Sequence, residues 1–262
     1  MHTILRQIVE QTRRDTAQRA RLASEPQLRE AVDCAPPVRS LTSALRQPGL
    51  SLIAEFKPRS PSRGQLANSP DPLRYARAYQ RAAAISVLCD ATFFGGGLHL
   101  LPMFRAHSEV PILAKGFFFL EPRQLLEVRA AGADAVLLIT RLLDDATLGE
   151  LLVLAQQIGL EALIEVHTGE ELERALRLDA ALIGVNHRDL DTLELNIGAG
   201  LELLAHVPRS VVRVSESGME TPAQVAALRQ RAVRGDVDAV LIGSALMAAP
   251  DPVRALAELG FA

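Results

Sequence analysis

Only two of the 28 basic residues in this chain are lysines, Lys57 and Lys115, and each closes a short apolar run. Arginine keeps its proton inside proteins, whereas a partly buried lysine has a tunable pKa and can act as an acid. In PILAKGFFF (111–119) Lys115 stands among apolar and aromatic neighbours, where desolvation is expected to lower its pKa into a useful acid range. In ALIEVHTGEE (162–171) Glu165 ends a very apolar run, and burial is expected to raise its pKa. A cap or salt-bridge role would also account for either residue alone. Glu55 and Lys57 in IAEFKPRSPSRG (53–64) are two apart and share one face of a strand. A surface ion pair explains that pair, but not the Pro/Ser-rich stretch after it, which reads as a flap over a ligand. GVNHRDLDTLE (184–194) supplies Asn186 for a hydroxyl and Arg188 for a carboxylate. His187 should point away from Asn186, and both it and His167 are assigned to structure. Finally, SESG (215–218) and IGSALM (242–247) are small-residue turns where backbone N–H groups can approach an anion, through Ser217, Gly218, Gly243 and Ser244.

These residues need a scaffold that gathers strand ends. Ile-, Leu-, Val- and Ala-rich runs recur every ~20–35 residues, separated by stretches of helical period, the pattern of successive βα units. Strands are predicted at 51–57, 84–89, 111–115, 134–139, 161–166, 180–186, 211–215 and 238–243, with helices between them such as 70–82, 121–131, 145–158, 169–177 and 221–231. Pro72, Pro122 and Pro222 stand where first-turn prolines belong. Eight such units predict an α/β fold, a (β/α)8 TIM barrel spanning 47–262. An open doubly wound sheet would use fewer strands and a Gly-rich first turn. Residues 1–46 are read as a helical extension, because Ile4, Leu5, Ile8 and Val9 fall at helical spacing. Barrel active sites lie at the C-terminal ends of the strands, often with phosphate on the loops after the seventh and eighth. That rule gathers Glu55, Lys57, Phe94, Lys115, Phe117, Ile139, Glu165, His167, Asn186, Arg188, Glu216–Gly218 and Gly243–Ser244 at one mouth. Lys115 and Glu165, on the third and fifth strands, are expected to face one another there.

Composition narrows the classes. The 262 residues are 48% hydrophobic and 23% charged, with a formal net charge of −3, so no basic field for nucleic acid is expected. No run reaches the ~18 apolar residues of a membrane span, and no signal peptide is recognisable, so a cytoplasmic protein is expected. Cys34 and Cys89 are too few for a disulfide scaffold and lack metal-ligand spacing; both are expected to be buried, reduced thiols.

Taken in order, IAEFKPRSPSRG, FFGG, LAKGFF, LIEVHT, VNHRDL, SESG and LIGSALM resemble the strand-end motifs of indole-3-glycerol phosphate synthases, from about Leu50 to the C-terminus. The resemblance implies a carboxy-lyase of tryptophan biosynthesis, with 1-(2-carboxyphenylamino)-1-deoxyribulose 5-phosphate as its small phosphorylated substrate and no cofactor or metal. It further implies that Lys115 is the general acid, Glu165 the second acid/base group, and Lys57 with Glu55 a pair serving phosphate, hydroxyls and dehydration. Asn186 would orient a hydroxyl, Ser60 and Arg188 would stand near the anthranilate carboxylate, and Glu216 beside the substrate. Phosphate would rest on Ser217, Gly218, Gly243 and Ser244. Phe94, Phe117, Leu137, Ile139 and Leu190 would enclose the ring. A monomer is expected. The chain departs from the family pattern at Gly116, usually Asp, at Gly97, usually Ser, and at His187, usually Asn or Ser. Two other readings stay open: an isomerase resembling phosphoribosylanthranilate isomerase, for which Cys89 lies at a strand end but Glu55 and Lys57 count against, and a diverged sugar-phosphate-binding barrel.

Overall fold

Short, doubly buried strands with parallel crossovers can hide both faces only by closing on themselves. The computed structural model describes residues 3–116 and 120–261. Its strands β1 (Ser51–Phe56), β2 (Ala84–Leu88), β3 (Ile112–Lys115), β4 (Ala135–Ile139), β5 (Glu161–Val166), β6 (Leu182–Asn186), β7 (Val212–Glu216) and β8 (Ala239–Ile242) form a closed parallel barrel. It closes by pairing of β1 with β8, Ser51 opposite Ala239. Alternate side chains point inward, and Ile53, Leu113, Leu163, Leu182, Val212 and Leu241 fill the interior.

Outside the barrel run α4 (Pro72–Tyr79), α5 (Leu100–Ala106), α6 (Pro122–Ala130), α7 (Asp145–Gln157), α8 (Gly169–Arg177), α9 (Ile197–Ala205), α10 (Pro222–Val233), α11 (Ser244–Ala248) and α12 (Pro252–Glu258). Their starts are chemically marked: Asp71, Asp144, Thr168, Asn196, Thr221 and Asp251 each accept a hydrogen bond from a first-turn N–H. Several strands are shorter than their apolar runs. Lys57 precedes Pro58 and Pro111 stands before β3, and proline cannot donate to a ladder, so both ends stop there. Gly243 leaves β8 to start α11, whereas β7 runs one residue further than predicted, to Glu216.

The N-terminal segment forms three helices rather than one: α1 (Thr3–Arg19), α2 (Glu25–Asp33) and α3 (Leu41–Leu45). Leu41 and Leu45 are fully buried among strand-start residues of the barrel interior, so α3 plugs its base. Thr42 fixes it there by donating its N–H to Glu161 Oε2 at 2.6 Å. At the other end α1 lays Leu5 and Ile8 over the strand C-termini, and the Arg19–Glu127 ion pair at 2.8 Å ties it to α6. Cys89 is buried, and burial pushes its thiol up to about 12. Cys34 is exposed, contrary to expectation, because it caps the end of α2 on the surface.

Candidate active site

The cavity at the C-terminal mouth has an apolar wall and a charged floor. The wall includes Phe94, Leu137, Ile139 and Leu190 from the barrel, with Ile4, Leu5 and Ile8 from α1. Glu55, Lys57, Ser60, Lys115, Glu165, Asn186, Arg188, Ser217, Gly218, Gly243 and Ser244 also line it. Phe117 lies outside the described residues.

The floor follows from barrel geometry. Each interior layer takes four side chains from alternate strands. At the top layer the odd strands contribute Glu55 (β1), Lys115 (β3), Glu165 (β5) and Glu216 (β7), the three carboxylates fully buried and Lys115 partly so. Lys115 therefore sits within an ionic ring. Its ammonium donates to Glu216 and lies 3.7 Å from Glu55 Oε1 and 3.9 Å from Glu165 Oε2. Lys115 thus faces Glu216 across the barrel, not Glu165, since β3 lies opposite β7. Glu216, expected beside the substrate, is fully buried and does not line the cavity; its carboxylate accepts from Lys115, which does. Lys57 pairs with Glu55 on the same face, as their spacing requires.

This ring sets the charges. Burial disfavours the Lys115 ammonium, yet Glu216, Glu55 and Glu165 together outweigh it and hold its pKa above the ordinary lysine value. The expectation of a lowered pKa fails because the site is low in water but rich in carboxylate. Glu216 is pushed up to about 7, chiefly by burial, which Lys115 offsets only in part and which Glu165 and Glu55 reinforce. Burial also opposes ionisation of Glu55, but Lys57 and Lys115 reverse that and hold it below the usual carboxylate range.

Two glycines make the ring possible. A Cβ on Gly184 of β6 would stand 2.0 Å from Glu216 Oε1, and one on Gly243 would stand 2.2 Å from Glu55 Oε2. At the end of β7, Ser217 and Gly218 take consecutive left-handed conformations, φ +67° and +83°. Such conformations cost a non-glycine residue about 1–3 kcal/mol and cluster at functional turns. Above them, Arg63 of the flap bridges to Glu220 at 2.7 Å, and the flap itself folds into a small hairpin, Arg59–Ser60 with Gly64–Gln65.

On β6, Asn186 Oδ1 accepts the Arg188 N–H at 3.0 Å, and the Arg188 guanidinium donates to the Leu193 carbonyl at 2.7 Å. His187 turns outward as expected, against α9: a Cβ on Gly200 would lie 2.2 Å from its ring. Burial lowers its pKa to about 4. A histidine held neutral in the fold stabilises above its unfolded pKa, and that contribution is lost as pH falls towards the folded value. Between about pH 6.5 and 4, the loss is on the order of 3 kcal/mol at full effect. His187→Asn is therefore expected to flatten the melting temperature across that window and to leave turnover unchanged. An acid-side slope equal to that of the unaltered protein would show that His187 does not titrate there.

Sequence reasoning missed α1 as part of the wall. Its amphipathic spacing was visible, but not what its apolar face covers. Leu193, Met219 and Glu220 were missed as well, since loop residues carry no period to reveal their direction.

A closed parallel barrel with an ionisable layer at its C-terminal mouth defines a barrel enzyme. The family model for indole-3-glycerol phosphate synthase matches residues 5–259. Indole-3-glycerol phosphate synthase of Mycolicibacterium smegmatis is 42% identical over 98% of this chain and 93% of its own. Indole-3-glycerol phosphate synthase 2 of Streptomyces coelicolor is 43% identical over 96% of each. The chain belongs to the indole-3-glycerol phosphate synthase family. Among solved structures, 3-hexulose-6-phosphate synthase superposes with a TM-score of 0.61 at 17% identity, covering 80% of this chain and 98% of the other, a likeness of fold alone.

Proposed function

We infer that this chain cyclises and decarboxylates 1-(2-carboxyphenylamino)-1-deoxyribulose 5-phosphate, releasing carbon dioxide and water to give indole-3-glycerol phosphate for tryptophan biosynthesis. The observation that carries this reading is Lys115, an ammonium set in a ring of three carboxylates beneath an apolar wall. Lys115 protonates the ribulose carbonyl as the ring carbon attacks it. A strongly held proton suits that step, because the oxyanion formed by carbonyl attack is more basic than the amine. Loss of carbon dioxide and then of a ring-carbon proton and hydroxide, as water, restores aromaticity.

Glu165 is the second acid/base group. Lys57, with Glu55, contacts phosphate and hydroxyls and assists dehydration. Asn186 orients a hydroxyl, Ser60 and Arg188 receive the carboxylate, and Phe94, Leu137, Ile139 and Leu190 hold the ring. Holding both ends of one flexible molecule supplies the cyclisation entropy in advance. The strained turn at Ser217–Gly218 and the start of α11 at Gly243–Ser244 offer backbone N–H groups to the phosphate. The extension (1–46) and the barrel (47–262) work as one unit in this reading, acting as a monomer in the cytoplasm. No helix among the described residues is long and apolar enough to cross a membrane.

Mixing the purified protein with the carboxyphenylamino substrate is expected to give a prompt rise in indole fluorescence. Binding without that rise would instead favour a diverged sugar-phosphate-binding barrel. Ser244→Asp is expected to raise KM roughly tenfold or more by placing like charge at the phosphate. An unchanged KM would move the phosphate elsewhere.

A further inference from the structure

One buried imidazole at the mouth remains without a role. His167 follows β5 by one residue, and the inward alternation that places Glu165 continues to it. Its side chain is 3% exposed and does not line the cavity. Its Nε2 lies 3.4 Å from Glu165 Oε1, and neither atom has a hydrogen-bond partner among the described residues. On the other edge of the ring, Nδ1 lies 3.2 Å from Glu171 Oε2, which also accepts the His167 backbone N–H at 2.6 Å.

We infer that His167, clamped by Glu171, is a positioning residue that holds Glu165 as an oriented carboxylate on the cavity floor. The inference rests on the reading of Glu165 as an acid/base group. Glu171 begins the chain of cause. It is fixed from α8 by Arg141, whose Nε donates to Oε1 at 2.9 Å. Arg141 is shared with Asp189 and Asp191, at 3.5 and 3.4 Å, so the loops after β4 and β6 brace the same carboxylate. Burial opposes the charge on Glu171, but His167 and Arg141 bring its pKa down to about 2.

A permanently ionised Glu171 accepts but cannot donate, so Nδ1 must carry a proton. Nε2 then faces a second carboxylate, where a proton is held only if the ring is cationic or Glu165 is itself protonated. Burial disfavours the imidazolium, yet Glu171 and Glu165 outweigh both it and Arg141 and raise the His167 pKa. The proton therefore stays on the ring, and Nε2 presents it to Glu165 Oε1. The charged groups facing this pair among the described residues are Glu171 on α8, Arg141 after β4, Lys115 on β3, 3.9 Å from Glu165 Oε2, and Glu216 on β7, whose carboxylate repels that of Glu165. His167 thus supplies the cation on the side of Glu165 away from Lys115.

The test is the pH dependence of kcat in the full chain between about pH 5 and 9. His167→Gln keeps a donor but cannot be charged. It is expected to raise the acid limb of kcat by about one pH unit, with KM within about twofold. Glu171→Gln is expected to move the limb the same way, and the double variant no further than the larger single shift, because both act through one imidazole. A second readout needs no substitution at 167: NMR titration of the His167 ring in the unaltered protein should show a midpoint above the ordinary ~6.5.

An unmoved acid limb in folded His167→Gln, additive shifts in the double variant, or a ring midpoint at or below the ordinary ~6.5 would each overturn the inference. Glu165→Gln separates the two levels. Lost turnover there, with an unmoved limb in His167→Gln, defeats the inference alone. Turnover retained in Glu165→Gln defeats the acid/base reading and the inference with it.

Discussion

Lys115→Ala is expected to lower kcat on the order of 10³-fold or more, because no other described cation reaches the centre of the carboxylate ring. Lys115→Arg sharpens the test. It keeps a positive charge among Glu55, Glu165 and Glu216, so the fold should hold. A guanidinium does not surrender its proton, so turnover should remain lost. Near-normal activity in either variant would end the assignment of Lys115 as the acid. Stability should divide the two. In Lys115→Ala the three carboxylates lose their shared partner, a loss bounded by about 3–5 kcal/mol for a buried charge left alone.

Glu216 limits that loss by taking up a proton, since its pKa already stands at about 7 with Lys115 present. A carboxyl whose folded pKa exceeds its unfolded value binds more protons when folded, so stability falls as pH rises between the two. The alanine variant should consequently melt closer to the unaltered protein at about pH 6 than at about pH 8. A gap that does not widen with pH would show that Glu216 stays ionised without its partner.

Much of this site was legible because strands carry a period of two. Glu55 and Lys57 share a face for that reason, and the strand ends named in advance line one cavity, apart from His167 and Glu216, which are buried beside it, and Phe117 outside the described residues. The same regularity contained the ionic ring, had it been carried one step further. Alternate strands supply each barrel layer, and every odd strand here has an ionisable residue at its end. What failed was the electrostatic sign. A lysine among apolar neighbours in sequence suggests a lowered pKa, but its neighbours in space are carboxylates from other strands. His167 was placed at the mouth but assigned to structure, because nothing in the sequence shows that its ring stands between Glu165 and Glu171. Among helices, α9 escaped notice since Gly198 and Gly200 weaken its helical signal; Gly200 is required by the ring of His187. The base plug α3 is only five residues, too short to show a period.

Gly184→Ala is expected to disable the enzyme without touching its cavity. Alanine in a strand interior ordinarily stabilises relative to glycine, by roughly 0.5–1 kcal/mol. Here the added methyl would meet Glu216 Oε1 at 2.0 Å and Cδ at 3.0 Å, and Glu216 is fully buried. The carboxylate must move, and its bond to Lys115 with it. Overpacking of this kind costs about 1–3 kcal/mol, which outweighs the backbone gain, so the melting temperature should fall. Turnover should fall on the order of 10²-fold with KM little changed, because the lysine loses its orientation while the binding wall stays intact. Glu216→Asp in the same chain supplies the decisive control. Removing one methylene restores room for the methyl, so stability should recover in the double variant. Turnover should recover only in part, since the shorter carboxylate reaches Lys115 less well. If Gly184→Ala proves as stable and active as the unaltered protein, the ring tolerates displacement of Glu216. Lys115 would then be held by Glu55 and Glu165 alone.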